Sequence, residues 1–170
     1  LTSDLPIAFS ITSMIIPKRL LLTLCTILIV GAGCISPGST QDIVQASYLP
    51  DHITEIFGET LPQAVLEARQ RNKNSVTITD ASGNLIIADI SDPTHTVFVM
   101  TDPTEVEDPI ELLISFLVPL EKAYDVKRGN GTFSFNLNEV RSAEIASIMY
   151  EISVKVFHTP TTQEWVIDIQ

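Results

Sequence analysis

SVTITDASGNLIIADI, residues 75–90, sets β-branched and aliphatic side chains on both sides of Asp80-Ala81-Ser82-Gly83-Asn84. Val, Ile and Thr suit a pleated, half-buried surface, and a Ser-Gly-Asn cluster between two such runs marks a reversal of the chain. The stretch therefore predicts a β-hairpin. After Asp92-Pro93, HTVFVMT (95–101) continues the same pattern, and three consecutive strands predict an antiparallel meander.

Upstream, Thr60 and Gln63 stand at capping-box spacing before LPQAVLEARQR, where Leu61, Val65 and Ala68 recur at helical intervals. This predicts a helix over 61–71. Before it, Asp51 is placed to cap a short turn carrying Ile53, Ile56 and Phe57 that ends at Gly58.

Downstream, Asp108-Pro109-Ile110-Glu111 has the residues of a helix start: a capping carboxylate, proline in the first helical position and an acid three after the cap. IELLISFLVPLEKAYDV follows and reads as a buried core helix interrupted at Pro119, with a buried strand as the alternative. Arg128-Gly129-Asn130-Gly131 forms a turn into TFSFNL, which places Phe133 and Phe135 on one face. Asn136 or Asn138 can cap a helix through EVRSAEIASIMYEI, with Val140, Ile145, Ile148 and Met149 toward the core. ISVKVFH and EWVIDI, on either side of Thr159-Pro160-Thr161-Thr162, read as a second hairpin in which Trp165 and Phe157 are cross-strand core partners. Strands and helices in this mixed order predict an α+β two-layer sandwich with helices on one face of a largely antiparallel sheet.

The N-terminal third is different in kind. MIIPKRLLLTLCTILIVGAGC (14–34) joins Lys18 and Arg19 to an apolar run, Leu20 to Val30, that closes on Gly31-Ala32-Gly33-Cys34. A charged start, a short apolar core and small residues at the cut are the parts of a secretory signal, and Lys and Arg remain on the cytoplasmic side. The arrangement resembles the signal peptide of prokaryotic lipoproteins. In that family the cysteine of a short lipobox receives a diacylglyceryl thioether and becomes the mature N-terminus. The resemblance implies lipidation of Cys34, peptidase recognition through Gly31, Ala32 and Gly33, and a protein held at the cell membrane facing outside the cytoplasm. Gly31 departs from the bulky aliphatic residue usual three before the cysteine. An uncleaved anchor is the competing reading, although Leu20 to Ser36 falls short of the roughly 20 apolar residues of a span. Residues 1–13 carry no basic side chain and begin with Leu, so translation is expected to start at Met14. Domain organisation follows: signal peptide 1–33, a Pro/Gly/Ser-containing tether 34–47, and a single globular domain 48–170.

Composition narrows the function classes. Of 21 acidic and 10 basic residues, all but Asp4, Lys18 and Arg19 lie beyond Cys34, leaving a net charge of -12 there. Such a surface repels phosphate backbones, so nucleic acid is not an expected partner, and it discourages lying flat on anionic lipid. Cys25 and Cys34 are the only cysteines, so beyond Cys34 the domain contains no disulfide, Cys-ligated metal site or thiol nucleophile.

No motif assigns a cofactor. The chain lacks Gly-x-Gly-x-x-Gly, Gly-Lys-Ser/Thr, Gly-x-Ser-x-Gly and Ser-x-x-Lys. His52, His95 and His158 lie more than forty residues apart, and Asp89, Asp92 and His95 at every third position fit a solvated turn better than a ligand set. Asp102, Glu105, Glu107 and Asp108 offer hard oxygen ligands of the kind Ca²⁺ needs, without the central glycine of a calcium loop. Asn130-Gly131-Thr132 matches the N-glycosylation acceptor pattern and also the turn of a hairpin. The sequence thus points to a lipid-anchored binding or structural module of the envelope, with membrane lipid and an unidentified envelope protein or ligand as partners. A surface hydrolase or carbohydrate-acting enzyme with a site in the acidic loops is the alternative.

Overall fold

A computed structural model describes residues 48–170 of the chain. The 75–90 stretch forms the hairpin its residues predict. β2 (Ser75–Asp80) pairs antiparallel with β3 (Leu85–Asp89), and Asp80 closes the turn by accepting the Ser82 and Asn84 amides. β4 (His95–Thr101) continues the meander.

Around this nucleus lie β1 (His52–Ile56), β5 (Tyr124–Gly129), β6 (Thr132–Asn138) and β7 (Glu164–Ile169). The result is one seven-stranded sheet in the order β1-β7-β2-β3-β4-β6-β5, every pairing antiparallel. The last strand is inserted between β1 and β2, so both ends of the domain are fixed by one long-range pairing.

Alternation along the strands buries one face. Val76, Ile78, Ile86, Ala88, Phe98, Met100, Phe133, Phe135, Leu137, Trp165, Ile167 and Ile169 form the sheet half of the core. The other half comes from α1 (Leu61–Gln70), α2 (Pro109–Ile114) and α3 (Ser142–Glu151). Leu61, Val65 and Ala68 are buried as their spacing predicts, as are Val140, Ile145, Ile148 and Met149. Phe98 and Phe135 stack across β4 and β6 at 5.0 Å. The architecture is the expected α+β sandwich.

Four local expectations are corrected. Residues 52–56 form strand β1 rather than a turn: Ile53 points to the core while His52, Thr54 and Ile56 point away from it. The long apolar run does not form one buried helix. α2 stops at Ile114, a 3-10 turn covers Val118–Lys122, and Phe116 and Val118 are half or more exposed. Pro119 accounts for the break, since it lies in the first turn of the 3-10 segment. Tyr124–Gly129, assigned by sequence to that helix and a turn, is an edge strand with every residue exposed. Residues 152–156 prolong α3 as a π turn instead of forming a strand, so Phe157 does not pair with β7. Trp165, fully buried, packs beside Tyr150 at 5.7 Å between ring centres and against Gly58.

The cap of α3 also differs. Arg141, not Asn136 or Asn138, holds the N-cap position, and its backbone amide donates to Glu144 at 2.9 Å.

Candidate functional site

The acidic loop between β4 and α2 is organised by a cation that sequence reasoning overlooked. Arg128, on the exposed edge strand β5, reaches into it. Its Nε donates to Asp102 Oδ1 at 2.8 Å, Nη1 to the Glu107 carbonyl at 2.9 Å, and Nη2 to the carbonyls of Pro103 at 3.1 Å and Val106 at 3.0 Å. A planar guanidinium with five donors suits a ring of oxygens. The oxygens that a hard cation would use are thus turned onto a side chain.

The residues named for calcium are separated by role. Asp102 pairs with Arg128, and Asp108 caps α2 by accepting the amides of Ile110 and Glu111, each at 3.0 Å. Glu105 and Glu107 lie exposed. Among the described residues no group of three His, Cys, Asp or Glu side chains is placed to hold a metal ion. The signal for Arg128 was its position, one residue before the Gly-Asn-Gly turn and so at the loop end of the sheet.

Beside this loop is a concavity of about 340 Å³, with Asn84, Asp102, Glu105 and His158 on its rim and Val156 and Phe157 in its floor. His158 adopts φ +53° and is exposed. The next residue, Thr159, is buried and donates to Asp80 Oδ2 at 2.6 Å, which ties the loop before β7 to the β2–β3 turn. Burial by itself would raise the Asp80 pKa; hydrogen bonds from Thr159, Asn84 and Ser82 outweigh it and hold the carboxyl below its usual range.

The remaining histidines each lie beside a carboxylate. His52 Nδ1 lies 2.7 Å from Asp168 across β1 and β7, and His95 Nδ1 lies 3.2 Å from Asp92. Asp92 also accepts from Thr94, while Asp89 accepts the Ser91 amide, so both carboxylates are engaged within the turn between β3 and β4. Asn130 and Gly131 make the two-residue turn between β5 and β6 with φ +56° and +73°, on the surface. The hairpin alone requires these two residues, since two successive left-handed positions favour Asn-Gly.

Large apolar side chains are exposed on β1 and its flanks and on α1, at Tyr48, Ile56, Phe57 and Leu66, and also on β5 and the segment before it. Phe116, Val118, Tyr124 and Val126 are all more than a third exposed, Val118 at 71%. A second concavity of about 390 Å³, walled by Val118, Pro119, Leu137 and Val140 and edged by Lys122, Glu139 and Glu144, lies next to them.

Gly31, Ala32, Gly33, Cys34 and Met14 lie outside the described residues. Among the described residues no helix is long and apolar enough to cross a membrane. No family model, curated protein or solved structure matches the chain.

Proposed function

We propose that the protein is a lipid-anchored, extracytoplasmic lipoprotein whose α+β domain is a binding or structural module of the cell envelope. The observation that carries this reading is the run from Lys18-Arg19 through Leu20–Val30 to Gly31-Ala32-Gly33-Cys34. A diacyl thioether holds firmly because each buried methylene contributes about 0.8 kcal/mol, whereas a single chain binds reversibly.

The character of the domain surface supports a module over an enzyme. The acidic loop, the natural place for a hydrolytic site, has Asp102 engaged by Arg128 and Asp108 engaged in capping. The β5 end offers exposed Phe116, Val118, Tyr124 and Val126, the kind of apolar surface that marks interaction sites.

Processing tests the reading. In the native host, wild-type protein should begin at Cys34, while the Cys34→Ser chain should accumulate with residues 14–33 still attached. The same N-terminus in both chains would contradict the proposal.

A further inference from the structure

The charges of the domain are sorted between the two ends of its sheet. One end carries the turns 57–60, 81–84, 102–108, 130–131 and 157–163, which contain Glu59, Asp102, Glu105, Glu107 and Asp108 against a single cation, Arg128, that reaches in from β5. The other end carries Tyr48–Asp51 and the turns 71–74, 90–94 and 139–141, where Arg71, Lys73 and Arg141 balance Asp51, Asp92 and Glu139. Arg69, in the last turn of α1, adds a further cation there, and Asp89 and Asp168, near the ends of β3 and β7, add two carboxylates.

Two of these cations, Arg69 and Lys73, line a concavity of about 450 Å³ together with Asn72, Asn74, Ser91, Ile90 and Pro93. No carboxylate lines it. Arg69 is fixed by Nη2 donation to the Val140 carbonyl at 2.8 Å, and Lys73 Nζ lies 3.0 Å from Asp51, which Arg71 shares. Cations at a helix C-terminus offset the helix dipole, and one or two suffice for that. Arg69 and Lys73, with two amides and a hydroxyl around the same hollow, supply donors of the kind that hold a phosphate.

This end is also where the chain enters the domain. Tyr48 is the first described residue, 62% exposed, with the Arg71 guanidinium 5.7 Å from its ring centre. An exposed Tyr beside Arg is a usual pairing at a lipid–water boundary. The fourteen steps from Cys34 to Tyr48 span at most about 50 Å, a leash long enough that charge decides which end of the domain faces the bilayer.

We infer that the Arg69–Lys73 cavity binds a phosphate group, supplied in the anchored protein by a phospholipid headgroup, so that the less acidic end of the domain faces the membrane and the more acidic end faces away. The headgroup source rests on the lipoprotein reading; the phosphate site does not. Full-length protein in an uncharged detergent, titrated with inorganic phosphate against chloride at matched ionic strength, tests the site by the amide and side-chain resonances of residues 69–74 and 91. Saturable shifts are expected there, and Lys73→Gln or Arg69→Gln should weaken binding by about fivefold or more, as loss of one charged contact does. Lys73→Gln disturbs only the Asp51 pair and keeps the test decisive if Arg69→Gln fails to fold.

Repeating the titration with phosphatidylglycerol and with phosphatidylcholine in the micelle separates the sources. Shifts with phosphatidylglycerol support the headgroup; shifts with inorganic phosphate alone uphold the site and assign it to a free anion. No shift with either, or shifts that both variants retain in full, would overturn the inference. A bare Cys34 thiol in the mass spectrum would sink the lipoprotein reading while leaving the phosphate titration unchanged.

Discussion

At the scale of single residues, two side chains hold the loop end of the sheet together. Gly58 has φ +66°, and a Cβ built on it would lie 2.7 Å from the Trp165 ring. Trp165 is fully buried against Tyr150, so it has no room to withdraw. Gly58→Ala should therefore cost about 2 kcal/mol or more, from left-handed strain and overpacking together, read as a lower denaturant midpoint with unchanged slope. Asp80 makes a pH prediction. Its folded pKa lies below the usual 3.8, so the stability it contributes is fully present above about pH 4 and is lost as pH falls through the lowered value. Asp80→Asn should reduce stability at neutral pH and flatten its decline in acid. An equal acid slope in both chains would assign the dependence to other carboxylates.

At the scale of elements, legibility followed how far local pattern and burial agree. The 75–89 hairpin, 95–101, 132–138 and 164–169 each alternate over a half-buried face, and each is a strand where the period predicts one. α1 and α3 were legible for the matching reason at period 3.6. The misses have particular causes. β1 is five residues long and lies between a capping aspartate and a glycine, which read locally as a turn. β5 is an edge strand exposed on both faces, so no alternation is imposed on it, and it carries a bulge between Tyr124 and Lys127. Ile152–Val156 has strand composition but buries Ile152, Ser153 and Val156 by continuing a helix already docked, and tertiary packing overrides propensity.

Arg128 left only the signal of its position because its partners are mostly backbone carbonyls, which leave no trace in side-chain patterns. It supplies the element-scale prediction: Arg128→Met should release residues 103–107, seen as faster amide exchange confined to that loop, with a loss of about 1.5–3 kcal/mol. Arg128→Lys should not restore protection, because an ammonium cannot reproduce the fork.

At the scale of the molecule, the fold is closed by its last strand. β7 pairs with both β1 and β2 and contributes Trp165, Ile167 and Ile169 to the core. Deleting residues 164–170 should leave a chain without cooperative unfolding or near-ultraviolet circular dichroism; a folded truncated domain would show that the meander and helices suffice alone. The α+β class was legible from strand and helix order, and the charge sorting between its ends was not, because only the pairing order shows which turns lie together. The proposed attachment to the envelope comes from Cys34 and the residues before it.

The most direct measurement is the mass of the N-terminal peptide from protein extracted out of native membranes. The chain should begin at Cys34, with a mass that exceeds the peptide by a diacylglyceryl group on sulfur. An unmodified Cys34 with residues 14–33 still joined to it would rule out a lipid anchor at that sulfur.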